Sequence, residues 1–303
     1  MNTTERINLF YSMSQATPVP PMAMAAVPVS TNSMFSHDAI TVQQTTRGCF
    51  QECFGCEAKS EYRVFPGHVE EGQPRKENIP QMGHLLEESG CLCRTCFSSQ
   101  RGFTMKLAAG SLPADTEDAG PTVMVYEKPF SLPICRNIPM VDPQGVPTSC
   151  LVPCCCCLPK VNTKTPQGQL LGSSEYECDA CLLVPKLIVK DDKENGNLTY
   201  RIKPETCCGG VCIKCSCSGG KASRMIYIPF IIRDPNTDQP IPSAFGEAHP
   251  SQIAKMWPGL KKGCCTDADN FHVIFPAGAP EPVKANLLGA TVLIDFAWFE
   301  TQK

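Results

Sequence analysis

Most enzyme signatures are missing from this sequence. It has no Gly-x-Ser-x-Gly elbow, no phosphate-cradling Gly-x-x-x-x-Gly-Lys-Ser/Thr, no Gly-x-Gly-x-x-Gly after a strand and no His-Glu-x-x-His. The 5 histidines are scattered, at positions 37, 68, 84, 249 and 272, and none forms an acid–base pair with a cysteine. These absences argue against a catalytic protein. A long basic cluster is also missing and the net charge is −3, so no nucleic-acid partner is expected. Met22 to Val27 is too short for the apolar core of a secretory signal and is bracketed by prolines, while Asn2 excludes N-myristoylation. The expectation is a chain that stays on the cytosolic side. Helical periodicity is scarce before the C-terminus, and there is no exact internal repeat.

What is present is β-rich. The chain is 42% hydrophobic, with 28 Pro and 22 Gly in 303 residues, and short alternating runs are separated by turn residues. That pattern predicts an antiparallel barrel or sandwich. Strands are expected at Glu61–Phe65, Gly102–Leu107, Thr122–Lys128, Leu187–Lys190, Leu198–Ile202 and Phe271–Phe275. Asn195-Gly196-Asn197 predicts a hairpin between the fourth and fifth of these. Met225–Ile232 reads as a strand buried on both faces, with a break or an edge at Pro229. Residues 1–47, rich in Ser, Thr, Met and Pro, read as a disordered tail, and 48–303 as one barrel domain. Pro18 and Pro21 make a PxxP match suited to an SH3 or WW domain, but so short a motif reads first as part of a plain disordered tail.

The stretch Val283–Phe299 is apolar on every face and reads as a helix that must be hidden. A spanning helix needs about 20 predominantly apolar residues. Here the charge-free run, Ala285 to Ile294, ends at Lys284 and Asp295. In a bilayer Asp295 would lie within hydrocarbon, at roughly 2.5–3.5 kcal/mol for mid-helix. Inside protein it needs only a hydrogen-bond partner. The helix is therefore expected as the core of a barrel, with Leu287, Leu288, Val292, Leu293, Asp295 and Phe296 facing its wall; a single-pass type II span is the alternative.

Cysteine is abundant. All but Cys135 of the 21 cysteines are clustered. In Cys154-Cys155-Cys156-Cys157, alternate residues of an extended segment face opposite sides, so some thiols must be exposed. Exposed cysteines beside apolar residues, with Lys160 and Lys164 nearby, suit S-palmitoylation; a metal-binding or oxidation-prone loop is the other reading. The pairs Cys178-x-x-Cys181 and Cys212-x-x-Cys215 have the form of two knuckles of a four-thiolate zinc site, set against the simpler reading of packed thiols. Asp267 and Asp269 open a segment like a calcium loop, with the backbones of Phe271, Val273 and Phe275 as further oxygen donors. His272 and Gly278 stand where such a loop needs a glycine and a bidentate acid, so weak affinity is expected.

Thr266-Asp267-Ala268-Asp269-Asn270-Phe271, the Phe275-Pro276 pair and the ending Leu293-Ile294-Asp295-Phe296-Ala297-Trp298-Phe299-Glu300 closely resemble the C-terminus of the phospholipid scramblases. Cys150–Cys157, the segment Gln167–Gly172, and Trp257 fall in that family's order, so the resemblance covers about residues 49–300, with longer insertions near 66–90, 110–121 and 136–149. It implies a tubby-like closed antiparallel barrel around a buried C-terminal helix. It also implies ATP-independent, bidirectional, calcium-triggered phospholipid movement, palmitoylation at the cysteine cluster, and attachment to the cytoplasmic face of the plasma membrane. One short helix supplies no polar groove through a bilayer. A membrane-tethered lipid-binding or signalling adaptor, or a zinc-dependent interaction module, is the rival function.

Overall fold

In the computed structural model, the described residues are 33–299, without 46–58, 68–78, 91–95, 97–99, 112–119, 132–134, 142–144, 146, 154–157, 179–183, 193–195, 208–211, 214–215, 219–224 and 258–269. Among them the chain runs through β1 (Ala39–Gln44), β2 (Glu61–Pro66), β3 (Gly83–Glu88), β4 (Phe103–Ala109) and β5 (Thr122–Lys128). A hairpin of β6 (Cys135–Val141) and β7 (Pro147–Pro153) follows, then β8 (Lys160–Lys164), β9 (Leu170–Tyr176), β10 (Leu187–Asp191) and β11 (Leu198–Pro204). Three short strands, β12 (Thr206–Cys207), β13 (Cys212–Ile213) and β14 (Ser216–Ser218), lead to β15 (Met225–Arg233). β16 (Pro242–Ser243), β17 (Gly246–Pro250), β18 (Gln252–Trp257) and β19 (Asn270–Ile274) precede the helix α1 (Glu281–Ile294) and a π-helical turn (Asp295–Phe299).

Twelve of these strands form one closed antiparallel barrel, in the order β1-β2-β3-β4-β5-β8-β9-β10-β11-β15-β18-β19 and back to β1. Closure removes every free edge from the wall. Pro229 sits where the partner of β15 changes. On one side β15 pairs with β18 from Ile226 to Ile231, including Pro229 with Ala254; on the other it leaves β14 after Tyr227 and takes up β11 from Phe230. A residue without an N–H belongs at such a gap.

Two sequence expectations change here. The barrel begins before residue 48: β1 pairs with both β2 and β19, so Ala39–Gln44, assigned by composition to the tail, is a central strand. Six residues ending in two glutamines carry too little alternation to announce it. β3, hidden in what reads as an insertion, pairs with β2 and β4.

The helix fills the barrel. Pro280 and the proline of its first turn set its start, and Lys284 to Ile294 are all buried. Fourteen residues give a length of about 21 Å, close to the roughly 20 Å of a six-residue strand. Its N-terminal half lies against β9, β8 and β10 through a notch. A Cβ on Gly172 would fall 2.1 Å from Asn286 Nδ2 and 2.4 Å from the Lys190 carbonyl, and this glycine holds φ +153°. Asn286 donates across the notch to the carbonyls of Leu171 and Lys190, and Ser174 Oγ donates to the Asn286 carbonyl. Lys284, at the helix start, donates to the His37 carbonyl at 2.8 Å. The core-helix expectation holds: Leu287, Leu288, Val292, Leu293, Asp295 and Phe296 are all buried. Among the described residues no helix is long and apolar enough to cross a membrane, which weighs against the type II span.

Because every barrel strand runs antiparallel to its neighbour and nearly all follow in chain order, the connections alternate between two poles. One pole carries the connections β1–β2, β3–β4, β5–β8, β9–β10, β11–β15 and β18–β19, with the C-terminus of α1. The other carries β2–β3, β4–β5, β8–β9, β10–β11 and β15–β18, with the entry to α1.

Candidate functional site

By chain position all 21 cysteines fall in the connections of the first pole. None lies in a barrel strand, in α1, or in a connection of the opposite pole. Cys49, Cys53 and Cys56 stand between β1 and β2; Cys91, Cys93 and Cys96 between β3 and β4; Cys135, Cys150 and Cys154–Cys157 between β5 and β8. Cys178 and Cys181 follow β9, Cys207 to Cys217 lie between β11 and β15, and Cys264 and Cys265 between β18 and β19. Cys96 is exposed and free.

The described residues beneath these connections form a buried charged floor. Arg101 and Glu87 make an ion pair at 2.9 Å, with side chains 1% and 0% exposed. Glu87 also accepts from the backbone N–H of Ser60 at 2.9 Å and from Ser89 Oγ at 2.5 Å. Burial pushes the Glu87 carboxyl up; the hydrogen bond and charge of Arg101, with Ser89 and Ser60, outweigh it and hold the group below its ordinary value. Lys128 is buried beside the pair and donates to the Arg101 carbonyl at 2.9 Å and to Ser131 Oγ at 3.2 Å. Ser60, Ser89, Arg101 and Ser131 belong to three different connections, so this network ties three sides of the pole together.

The end of the helix is the floor's centre. Tyr62 of β2 donates to Asp295 Oδ2, the partner that its burial demanded. Arg101 lies 4.9 Å from the centroid of the Phe296 ring, and Phe103 packs on Phe296 at 4.2 Å. Lys255 of β18 stands 3.4 Å from the Phe299 centroid, with Phe271 and Phe230 around the same ring. Sequence reading finds Asp295 but not Glu87, Arg101 or Lys128. A charge in a short alternating run reads as solvated, and only the spacing of a closed wall turns it inward.

The other expected sites are placed unevenly. Cys154–Cys157, Cys181, Cys215, Asp267 and Asp269 lie outside the described residues, as do Pro18 and Pro21. Cys178 is disulfide-bonded. From Asn270 the calcium-loop segment is a strand in the middle of the wall, with Phe271 opposite Val42 and Lys255, and Val273 opposite Ile40 and Ile253. The backbone carbonyls of Phe271 and Val273 are engaged in that ladder, so they do not fit a calcium shell.

The Scramblase family profile matches residues 230–301, from within β15 to beyond the π-helical turn. Phospholipid scramblase 1 of Homo sapiens is 26% identical over 216 residues, 71% of this chain and 52% of its own length. Phospholipid scramblase 2 of Bos taurus is 28% identical over 214 residues, 71% of this chain and 56% of its own. Phospholipid scramblase family member 5 of Homo sapiens is 26% identical over 215 residues, covering 60% of its length. The matched segment thus spans little more than half the length of these relatives. No solved structure matches the chain. The profile covers the strands that close the barrel and the helix that fills it, and over that segment the chain is similar to the phospholipid scramblases.

Proposed function

We propose that the protein moves phospholipids between leaflets in both directions without ATP, held at the cytoplasmic face of the plasma membrane by acyl chains on Cys154–Cys157. The observation that carries this reading is the similarity of 71% of the chain to proteins named phospholipid scramblases. The cysteine pole faces the bilayer, because that is where the acyl acceptors lie. Two chains make anchoring stable where one does not.

The route of the lipid is constrained by physics. A headgroup must cross about 30 Å of hydrocarbon through a polar path or a bilayer defect. The barrel interior offers no such path. It is filled by α1, and burial alone pushes the phenols of Tyr126 and Tyr176 above their ordinary range. Nor does the wall suit lipid: Lys164 bonds Glu127 and Lys190 bonds Glu175 across neighbouring strands of its outer face. Transfer therefore proceeds through a local thinning of the bilayer beneath the anchored pole. Calcium is taken up weakly, by the carboxylates of Asp267 and Asp269, on a connection of the same pole. In proteoliposomes, leaflet-selective quenching of labelled lipid should exceed that in empty liposomes and rise with calcium. Equal traces with and without protein would exclude scrambling.

A second reading, an acyl-anchored lipid-binding or signalling adaptor, is favoured by the burial of α1 inside the barrel. It predicts lipid binding without redistribution. On either reading, Cys154–Cys157→Ser should move the chain from membrane to cytosol; retention that resists alkaline wash would defeat the acyl anchor.

A further inference from the structure

One strip of the outer wall carries polar groups that nothing in the described chain answers. Alternation with the core-facing Val42, Val64, Leu85 and Phe271 turns Gln43, Arg63, His84 and Asn270 outward. Register joins these four into one row across β19, β1, β2 and β3: Asn270 opposite Gln43, Gln43 opposite Arg63, and Arg63 opposite His84. Neighbours in the row are one strand spacing of about 4.8 Å apart. Among the described residues the Arg63 guanidinium makes no hydrogen bond or ion pair, and its Nε is buried. The other described arginine side chains, Arg101, Arg201 and Arg233, are met by Glu87, by Glu177 and by the Asp238 carbonyl. Glu61, next on the same face of β2, has its carboxylate on Thr45 Oγ1 at 2.7 Å. His84 is 0% exposed. Its Nδ1 lies 3.3 Å from the Gly110 carbonyl, which can only accept, so Nδ1 carries the proton. Nε2 of the neutral ring is then an acceptor, buried without a donor, and Asn270 Oδ1 is buried without a partner as well. Gln43, Arg63 and Asn270 are half-buried, so the row is open along most of its length and closed at His84. A lone cation between unanswered polar groups calls for a ligand.

We propose that this row binds a phosphodiester that carries an N–H or O–H donor beyond its phosphate, the chemistry of an ethanolamine, serine or glycerol headgroup. The Arg63 guanidinium takes the single negative charge through charge-assisted hydrogen bonds. His84 Nε2, one strand away, accepts from the ammonium or hydroxyl. A carboxylate would satisfy Arg63 and leave the imidazole acceptor unanswered. Phosphocholine, whose nitrogen has no N–H, would do the same. The ion pairs Lys164–Glu127 and Lys190–Glu175 close on themselves along β5, β8, β9 and β10, whereas this row lies on other strands and stays open. That a lipid bears the group rests on the phospholipid reading above; the class of group does not.

The test titrates the full chain with glycerophosphoethanolamine and with glycerophosphocholine by calorimetry. The first should bind about tenfold more tightly, the worth of one hydrogen bond to a buried acceptor. Arg63→Gln should abolish binding of both esters, and His84→Phe should remove the preference while keeping the weaker binding. Lys203→Gln, which removes a cation already paired with Asp238, should change neither. Should a variant fail to melt cooperatively, the order of the two esters on the unaltered chain decides the matter. Equal affinity for the esters, acetate bound as tightly as glycerophosphoethanolamine, or binding that survives Arg63→Gln would overturn the proposal. Vesicles of phosphatidylcholine with and without phosphatidylethanolamine identify the bearer. Sedimentation that needs phosphatidylethanolamine and is reversed by the soluble ester assigns the row to a lipid; binding of the ester without sedimentation upholds the row for a free phosphodiester. The readout is binding, so an absence of scrambling in proteoliposomes counts against the transport reading alone.

Discussion

The two poles of the barrel solve the same problem, turning a chain back into an antiparallel wall, with different chemistry. At the cysteine-free pole two of the turns are made by backbone conformation, while Asp234 accepts from the N–H groups of Asn236 and Thr237 in the β15–β18 connection. Gly67 and Gly110 follow β2 and β4 directly with φ of +95° and +93°, and their N–H groups bond the carbonyls of Ala39 and Met82. At the cysteine pole the described part of the turns is held by side chains: a buried ion pair, a buried lysine, and Asp295 on Tyr62. Backbone turns do not respond to pH, redox state or metal. Carboxylates and thiols do. The cysteine pole is the one whose connections carry the thiols.

The comparison breaks first if the helix that joins the poles is dispensable. Deleting residues 283–303 should leave the barrel unfolded, and Leu288→Ala should lower stability by roughly 2–5 kcal/mol, measured by thermal melts without detergent. A cooperative melt of the truncated chain would show that the wall stands without its core. Next in size is the charged floor. Removing one partner of a buried ion pair costs roughly 3–5 kcal/mol, so Arg101→Ala should destabilise by that order in a denaturant melt.

The same pair fixes a pH dependence. Glu87 titrates lower in the folded state than its ordinary 4.5, so its contribution is complete above that pH and is lost as the pH falls through the folded value. Hydrogen exchange at acid pH should therefore rise first at Ser60, Ser89 and Ser131, while the turns at Gly67 and Gly110 hold. Simultaneous opening of both poles would remove the distinction. Smaller still is Gly172→Ala, which closes the notch for Asn286. Overpacking of about 1–3 kcal/mol is expected in the same melts. The smallest effect is that of Asp267→Ala: titration calorimetry should find only millimolar-range calcium affinity to lose.

The sequence discloses the alternating strands well, because β2, β4, β5, β10 and β11 each keep one apolar face, and the Asn195-Gly196-Asn197 hairpin joins β10 to β11 as expected. The helix is legible for the opposite reason, having no polar face. β1 and β3 are not: one is short and ends in glutamines, the other carries His84, Glu87 and Glu88. Missing them matters beyond two strands. In an up-and-down barrel the pole of each connection is a matter of parity, so one overlooked strand sends every later loop to the wrong end. The gathering of the cysteines is therefore invisible until all twelve strands are counted.

The order of elements also decides when this protein can exist. Its first wall strand, Ala39–Gln44, is held on one side by Asn270–Ile274, and the helix that fills the wall comes later still. Tyr62 waits 233 residues for Asp295, and Lys284 reaches back 247 residues to His37. On a ribosome, nearly the whole chain must emerge before the wall can close or acquire a core. Synthesis thus leaves a long interval of unpaired apolar strands, during which aggregation competes with folding.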